Sequence, residues 1–226
     1  MASFFLEPSL LKVFFYLIHL VNKNQMNFLG HIYLSGDDDQ LIIGNFIADC
    51  VKGKKYLDYS EGIQKGILHH RIIDSFTDRN SNIQQIKMFL RPTYHLYSGV
   101  VTDLFVDHFL AANWLNFSEK PLPEFSEEVY TIFQLNYEIL PQKIQGFLSN
   151  LIQRNRLLSY SEISGIEEAL MIMAFKTSLP GKSTEAIRIL KENYGELKTL
   201  SMQFITEISV FSKEELDKLE VEKVQL

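Results

Sequence analysis

Apolar residues recur along this chain at three- and four-residue spacing, the period of helices that bury one face. Residues 26–34, MNFLGHIYL, are too short and too apolar for periodicity to separate a strand from a helix start. Gly36-Asp37-Asp38-Asp39 forms a turn and cap cluster, after which the pattern predicts helices over residues 40–51 and 60–78. Gly53 ends the first of these. Lys52, Lys54 and Lys55 stand at its C-terminal end, where cations complement the helix dipole. Ile63, Ile67 and Ile73 belong to the apolar positions of the second. A further helix starts near Ile83, bends or breaks before Pro92 and resumes toward Trp114. Pro121 and Pro123 put a loop over residues 116–125. Helices are then expected over 126–140, 141–156, 164–178 and 183–211. Ser164 with Glu167, and Ser212 with Glu215, have capping-box spacing. No alternating run of useful length follows residue 40, and there is no internal repeat. The expected architecture is an all-α, single-domain helical bundle over residues 26–211 with seven to nine helices. A charged tail over 212–226 is expected to fray.

Composition narrows the function classes. A chain of 226 residues with 46% apolar content can build one full core, not two. Its net charge of −6 excludes polyanion binding by bulk electrostatics, so no nucleic-acid partner is expected. The aromatics sit at helical core spacing and do not form stacking platforms. Cys50 is the one cysteine, so no internal disulfide forms, which fits a reducing cytoplasm. Within its apolar run it reads as a buried hydrophobe rather than a nucleophile. Residues 10–21, LLKVFFYLIHLV, are too short to span a membrane and lack a following small-residue cleavage site. They read as an amphipathic helix lying on the domain or on a membrane surface. The plainer reading makes Met26 the true start and residues 1–25 an N-terminal extension from an upstream start choice.

The chemistry concentrates between Gly66 and Trp114. His70, Asp74 and Asp78 fall at i, i+4 and i+8, one stripe along a helix. Asp103 and Asp107 form a second stripe at i, i+4, with His108 one step round, in a segment apolar almost all round. Acids on a buried helix need partners. Two such stripes facing each other would gather carboxylates and imidazoles, a donor set that suits Mn, Fe or Zn. The same spacings also fit local ion pairs with Arg71, Arg79 or Arg91. Asn45 and Asp49 share a face of the 40–51 helix, and Asp49 has an ordinary exposed-acid reading beside Lys52. His69 points about 100° away from His70 and is not expected to share its metal. His31 alone reads more readily as a core histidine than as a ligand. His95 and His19 lack acidic helical partners. No phosphate-cradling glycine loop, G-x-S-x-G, H-E-x-x-H or C-x-x-C is present, so the Asp/His set remains, and a helical metal-dependent hydrolase is the working expectation.

Taken together, these segments resemble the acyl carrier protein phosphodiesterase family. The resemblance runs through Met26-Asn27-Phe28-Leu29-Gly30-His31, then Gly44-Asn45-Phe46-Ile47-Ala48-Asp49-Cys50-Val51-Lys52-Gly53, then residues 62–78 with His70-Arg71-x-x-Asp74 and Phe76-Thr77-Asp78. It is strongest over Tyr97-Ser98-Gly99-Val100-Val101-Thr102-Asp103 and Asp107-His108-Phe109-Leu110-Ala111. It implies hydrolysis of the phosphodiester joining 4′-phosphopantetheine to a serine of holo acyl carrier protein. It also implies a divalent metal, usually manganese, and a likeness to the all-helical HD-type metal phosphohydrolases, hence an HD-domain-like bundle. On this resemblance His31, His70, Asp74, Asp107 and His108 are the expected metal ligands. Asp49 and Asp103 are the expected catalytic acids or further ligands. Lys52, Arg71 and Asp78 would bind substrate, and the lysines at 52, 54 and 55 would meet an acidic carrier-protein helix. The chain departs from the family pattern at Tyr33 and Asn80, where histidines are frequent. Two rival readings are a phosphohydrolase acting on another small phosphodiester or nucleotide, and a helical module that grips carrier protein without turnover. The sequence does not set the oligomeric state, and stable membrane insertion is not expected.

Overall fold

A computed structural model describes residues 28–224; residues 1–25, and with them the expectations for that segment, lie outside it. Among the described residues there is no β-strand. The α-helices are α1 (Phe28–Tyr33), α2 (Asp39–Ile47), α3 (Glu61–Thr77), α4 (Ser81–Tyr94), α5 (Ser98–Ala112), α6 (Leu122–Leu135), α7 (Gln142–Gln153), α8 (Arg156–Ser159), α9 (Ile163–Lys176), α10 (Ser183–Glu192) and α11 (Tyr194–Val224). The segment 26–34, ambiguous by pattern, contains a helix. None of these helices is long and apolar enough to cross a membrane.

Helix α5 is the axis of the bundle. Val101, Phe105 and Phe109 are fully buried on it, and it packs against α1, α4, α9 and α11. A helix apolar on every side has no solvent face to offer, so the surrounding helices close over it. Phe46 of α2 stacks on Phe133 of α6 at 3.9 Å, tying the outer layer to the same core.

The closest helix pair carries the chemistry. Helices α2 and α3 cross at Gly44 and Gly66, so tightly that a Cβ on Gly66 would lie 2.6 Å from the Leu41 carbonyl oxygen. Only glycine lets two backbones meet there. The crossing sets Asn45 and Asp49 of the α2 end beside His69 and His70 of α3. Asp38 caps α2, accepting from the backbone N–H groups of Gln40 and Leu41.

Several boundaries differ from the pattern-based expectation. Helix α4 continues through Pro92 and stops at His95, whose φ of 48° breaks it three residues later than proline alone suggests. The 141–156 segment breaks at left-handed Asn155, and the 183–211 segment breaks at Asn193. Neither capping box forms: α9 begins at Ile163 with no side-chain cap, which puts Ser164 inside it, and Ser212 lies inside α11 at 2% exposure. The Ser212 hydroxyl is bonded to His69 and to the Leu34 carbonyl.

Candidate metal centre

Three helices converge on one point. His31 comes from α1, His70 and Asp74 from successive turns of α3, and Asp49 from the 3-10 turn Ala48–Cys50 that ends α2. His31 and His70 are buried and stacked, with ring centroids 4.0 Å apart. Asp74 Oδ1 lies 3.4 Å from His31 Nε2, and its Oδ2 lies 3.3 Å from His70 Nε2. Asp49 Oδ1 is 3.6 Å from His70 Nε2. One ligand atom each from His31, His70 and Asp74 falls within 4.8 Å of the others.

The charges respond to this crowding. Burial lowers the His70 pKa, but hydrogen bonds and charge from Asp49 and Asp74 outweigh it and lift the group to about 9. Burial, then the His70 charge, lowers His31. Burial pushes Asp74 upward, yet its contacts with the His31 and His70 rings win and hold it well below the usual carboxylate range.

A divalent cation fits the donor set. Ligand atoms about 2.1 Å from one cation stand about 3.0 to 3.4 Å apart, close to the 3.3 to 3.6 Å separations seen here. The buried Nδ1 of His70 has no hydrogen-bond partner, so nothing competes for this ring except the acids and whatever they hold.

The structure does not bring the second stripe to this point. The Asp107 carboxylate accepts from the Gly30 N–H at 2.9 Å and the Leu29 N–H at 3.2 Å, serving the otherwise unmet amides that begin α1. Burial raises Asp107 to about 7, against these two bonds. His108, expected as a ligand, donates Nδ1–H to the Tyr160 carbonyl at 2.9 Å and accepts at Nε2 from the Tyr194 hydroxyl at 3.1 Å. Both ring nitrogens have protein partners, and His108 adds no atom to the cluster of three. Asp103 lines a small cavity of about 40 Å³ with His31 and Asp107, and burial raises its pKa well above the ordinary value. It adds no atom to the cluster of three.

The expected substrate-binding residues also separate. The Arg71 guanidinium donates to the Val51 and Gly53 carbonyls, each at 3.0 Å, and lies over the Tyr56 ring. It pins the loop that follows Asp49. Asp78 is exposed and pairs with Lys87 at 3.5 Å. Lys52 is exposed near Cys50, whose thiol burial pushes upward. At the departures from the family pattern, Tyr33 packs edge-on against Trp114, and Asn80 caps α4.

Pattern reading singled out no cavity. A groove of about 740 Å³ runs between α7 and α9, lined by Phe28, Phe46, Phe147, Ile144 and Met173. Asp49 and Cys50 lie in its lining, and Lys143 and Lys176 add positive charge. Asp49 therefore belongs to both the groove and the cation site.

An all-helical protein with a His/His/Asp cluster that could hold a metal ion, beside an apolar groove, is a candidate metal-assisted hydrolase. Comparison with known proteins is specific: residues 26–208 match the family model described as acyl carrier protein phosphodiesterase, and the chain belongs to that family. An acyl carrier protein phosphodiesterase of Pectobacterium atrosepticum is 26% identical, covering 83% of this chain and 98% of the relative. Those of an Enterobacter species, at 29% identity, and of Klebsiella pneumoniae subsp. pneumoniae, at 31%, cover 83% and 79% of this chain and 98% and 93% of the relatives. No solved structure matches the chain.

Proposed function

We propose that this protein removes 4′-phosphopantetheine from holo acyl carrier protein by hydrolysing the phosphodiester to the carrier serine. The observation that supports this reading is Asp49 in both places: one carboxylate lies 3.6 Å from His70 Nε2 in the cation cluster and also lines the apolar groove that would take the prosthetic arm. His31, His70 and Asp74 would hold a divalent cation, taken as Mn²⁺ on the family resemblance, since the donor set itself suits Mn, Fe or Zn alike. Such a cation, when bound, lowers the pKa of a water and neutralises phosphoryl charge.

The chain's own residues do the rest. Asp49 accepts the proton of the attacking water, since it alone of the candidate acids faces both the cluster and the groove. Phe28, Phe46 and Phe147 exclude bulk water from the arm and strengthen each charge contact near the phosphate. Lys143 and Lys176 along the groove, with Lys52 nearby, meet the acidic carrier protein and offset the overall charge of −6. A cytoplasmic location goes with this substrate reading.

Purified protein with Mn²⁺ and holo carrier protein should yield apo carrier protein, read as loss of the arm's mass. The reading fails if the mass stays unchanged while an active relative converts the same substrate. Turnover of nucleotides or other small phosphodiesters in its place would favour a different phosphohydrolase.

A further inference from the structure

Behind the cation site lies a chain of buried polar groups that uses none of its members for chemistry. Asn45 Oδ1 lies 3.1 Å from His31 Nδ1. Asn45 Nδ2 lies 2.9 Å from Ser35 Oγ and 3.1 Å from His69 Nδ1. His69 Nε2 lies 2.9 Å from Ser212 Oγ. The chain joins α1, α2, α3 and α11, and Asn45, His69, Ser35 and Ser212 are all buried.

Both ends are anchored by carbonyls, which can only accept. The Ser35 hydroxyl donates to the His31 carbonyl at 3.0 Å, so its oxygen must accept from Asn45. The Ser212 hydroxyl donates to the Leu34 carbonyl at 3.2 Å, so its oxygen must accept from His69 Nε2–H. That leaves His69 Nδ1 bare, accepting the second N–H of Asn45. Two independent anchors thus turn the Asn45 amide the same way: its N–H₂ toward Ser35 and His69, its oxygen toward His31. The reversed amide would make one Ser35 proton serve two acceptors, and likewise the Ser212 proton.

From this geometry we infer that Asn45 is a positioning residue. Against the competing Asp74 carboxylate, 3.4 Å from Nε2, the shorter 3.1 Å contact of Asn45 Oδ1 holds neutral His31 as the Nδ1–H tautomer and so keeps Nε2 as a bare lone pair for the cation. His69 and Ser212 keep Asn45 turned that way. The inference rests on the reading of His31 as a cation ligand. It explains why a polar residue sits inside the apolar run of α2, and why His69 is buried beside a ligand it does not join.

The test is tautomer assignment by long-range proton–nitrogen correlation of the imidazoles in the metal-free protein, at mildly alkaline pH. His31 should show Nδ1–H and His69 the opposite, Nε2–H. Either tautomer reversed in the wild-type protein overturns the inference, and this reading needs no variant. Asn45→Ala should move His31 toward Nε2–H, donated to Asp74, and weaken Mn²⁺ binding about 10- to 100-fold. Asn45→Asp restores the acceptor and should recover the His31 tautomer and most of the Mn²⁺ affinity, while His69 flips. An Asn45→Ala protein with the wild-type tautomer and affinity contradicts the role, as does Asn45→Asp without recovery. Neither readout involves carrier protein, so a failure of the substrate reading leaves this inference standing.

Discussion

A single methyl group at the α2–α3 crossing should loosen the cation site without touching any residue in it. In Gly66→Ala the new Cβ would meet the Leu41 carbonyl oxygen at 2.6 Å and the Gly44 Cα at 2.8 Å. Ordinary contact begins near 3.4 Å, so the helices must part by about 0.8 Å. The Asn45–His69 contact spans the same two helices at 3.1 Å, and that displacement carries it beyond hydrogen-bond reach. Overpacking costs about 1–3 kcal/mol. A stretched buried hydrogen bond costs on the order of 1 kcal/mol more. Alanine returns about 1 kcal/mol of helix propensity. The net loss is about 2 kcal/mol, or roughly 4–8 °C in Tm for a chain of this size. Thermal melts and Mn²⁺ titration of the same protein read both effects. Gly146→Ala is the control: its Cβ would meet nothing within 4 Å, so it should leave Tm level or raised. The reasoning is refuted if Gly66→Ala melts with or above the wild type and binds Mn²⁺ as tightly.

Other perturbations separate the parts of the site. His70→Ala should abolish Mn²⁺ binding and turnover together, whereas His108→Gln should lower Tm and leave Mn²⁺ affinity in place. Asp107 is raised on folding from 3.8 to about 7, so the fold favours its protonated form. Its contribution is full below about pH 4 and is lost as pH rises through about 7. Asp107→Asn should therefore flatten the part of the metal-free Tm profile that falls across this window, and an unchanged slope would count against it. Met173→Trp should fill the groove and raise KM for holo carrier protein with Mn²⁺ affinity unaltered. Arg71→Ala should free the Val51–Gly53 carbonyls and cost about 1–3 kcal/mol by lost charge-assisted bonds, read by denaturant melts.

The parts of the fold set by short-range pattern were readable from the chain, and the parts set by distant partners were not. Helix α3 and its His70–Asp74 pair follow from four-residue spacing alone. His31 could not be singled out by spacing, because its neighbours at the site come from α3 and from Asn45 on α2; only the family resemblance pointed to it. Asp107 was correctly placed in a buried helix, but its partners are backbone amides 77 and 78 residues away, which no side-chain pattern announces. His108 is likewise satisfied by a carbonyl and a phenol from distant segments. Asn45 carried a signal that went unused: an amide in an apolar helix must find buried partners. Ser212 misled because a serine three residues before a glutamate opens a helix only when the preceding chain is free to end, and here α11 is already packed.

In the proposed site α1, α3 and the end of α2 meet around one cation. Anomalous diffraction from crystals grown with Mn²⁺ tests it most directly. A manganese peak is expected about 2.0–2.3 Å from His31 Nε2, His70 Nε2 and an Asp74 oxygen, with Asp49 adjacent. A stoichiometric peak held instead by Asp103, Asp107 or His108, with the His31–His70 pair bare, would contradict it.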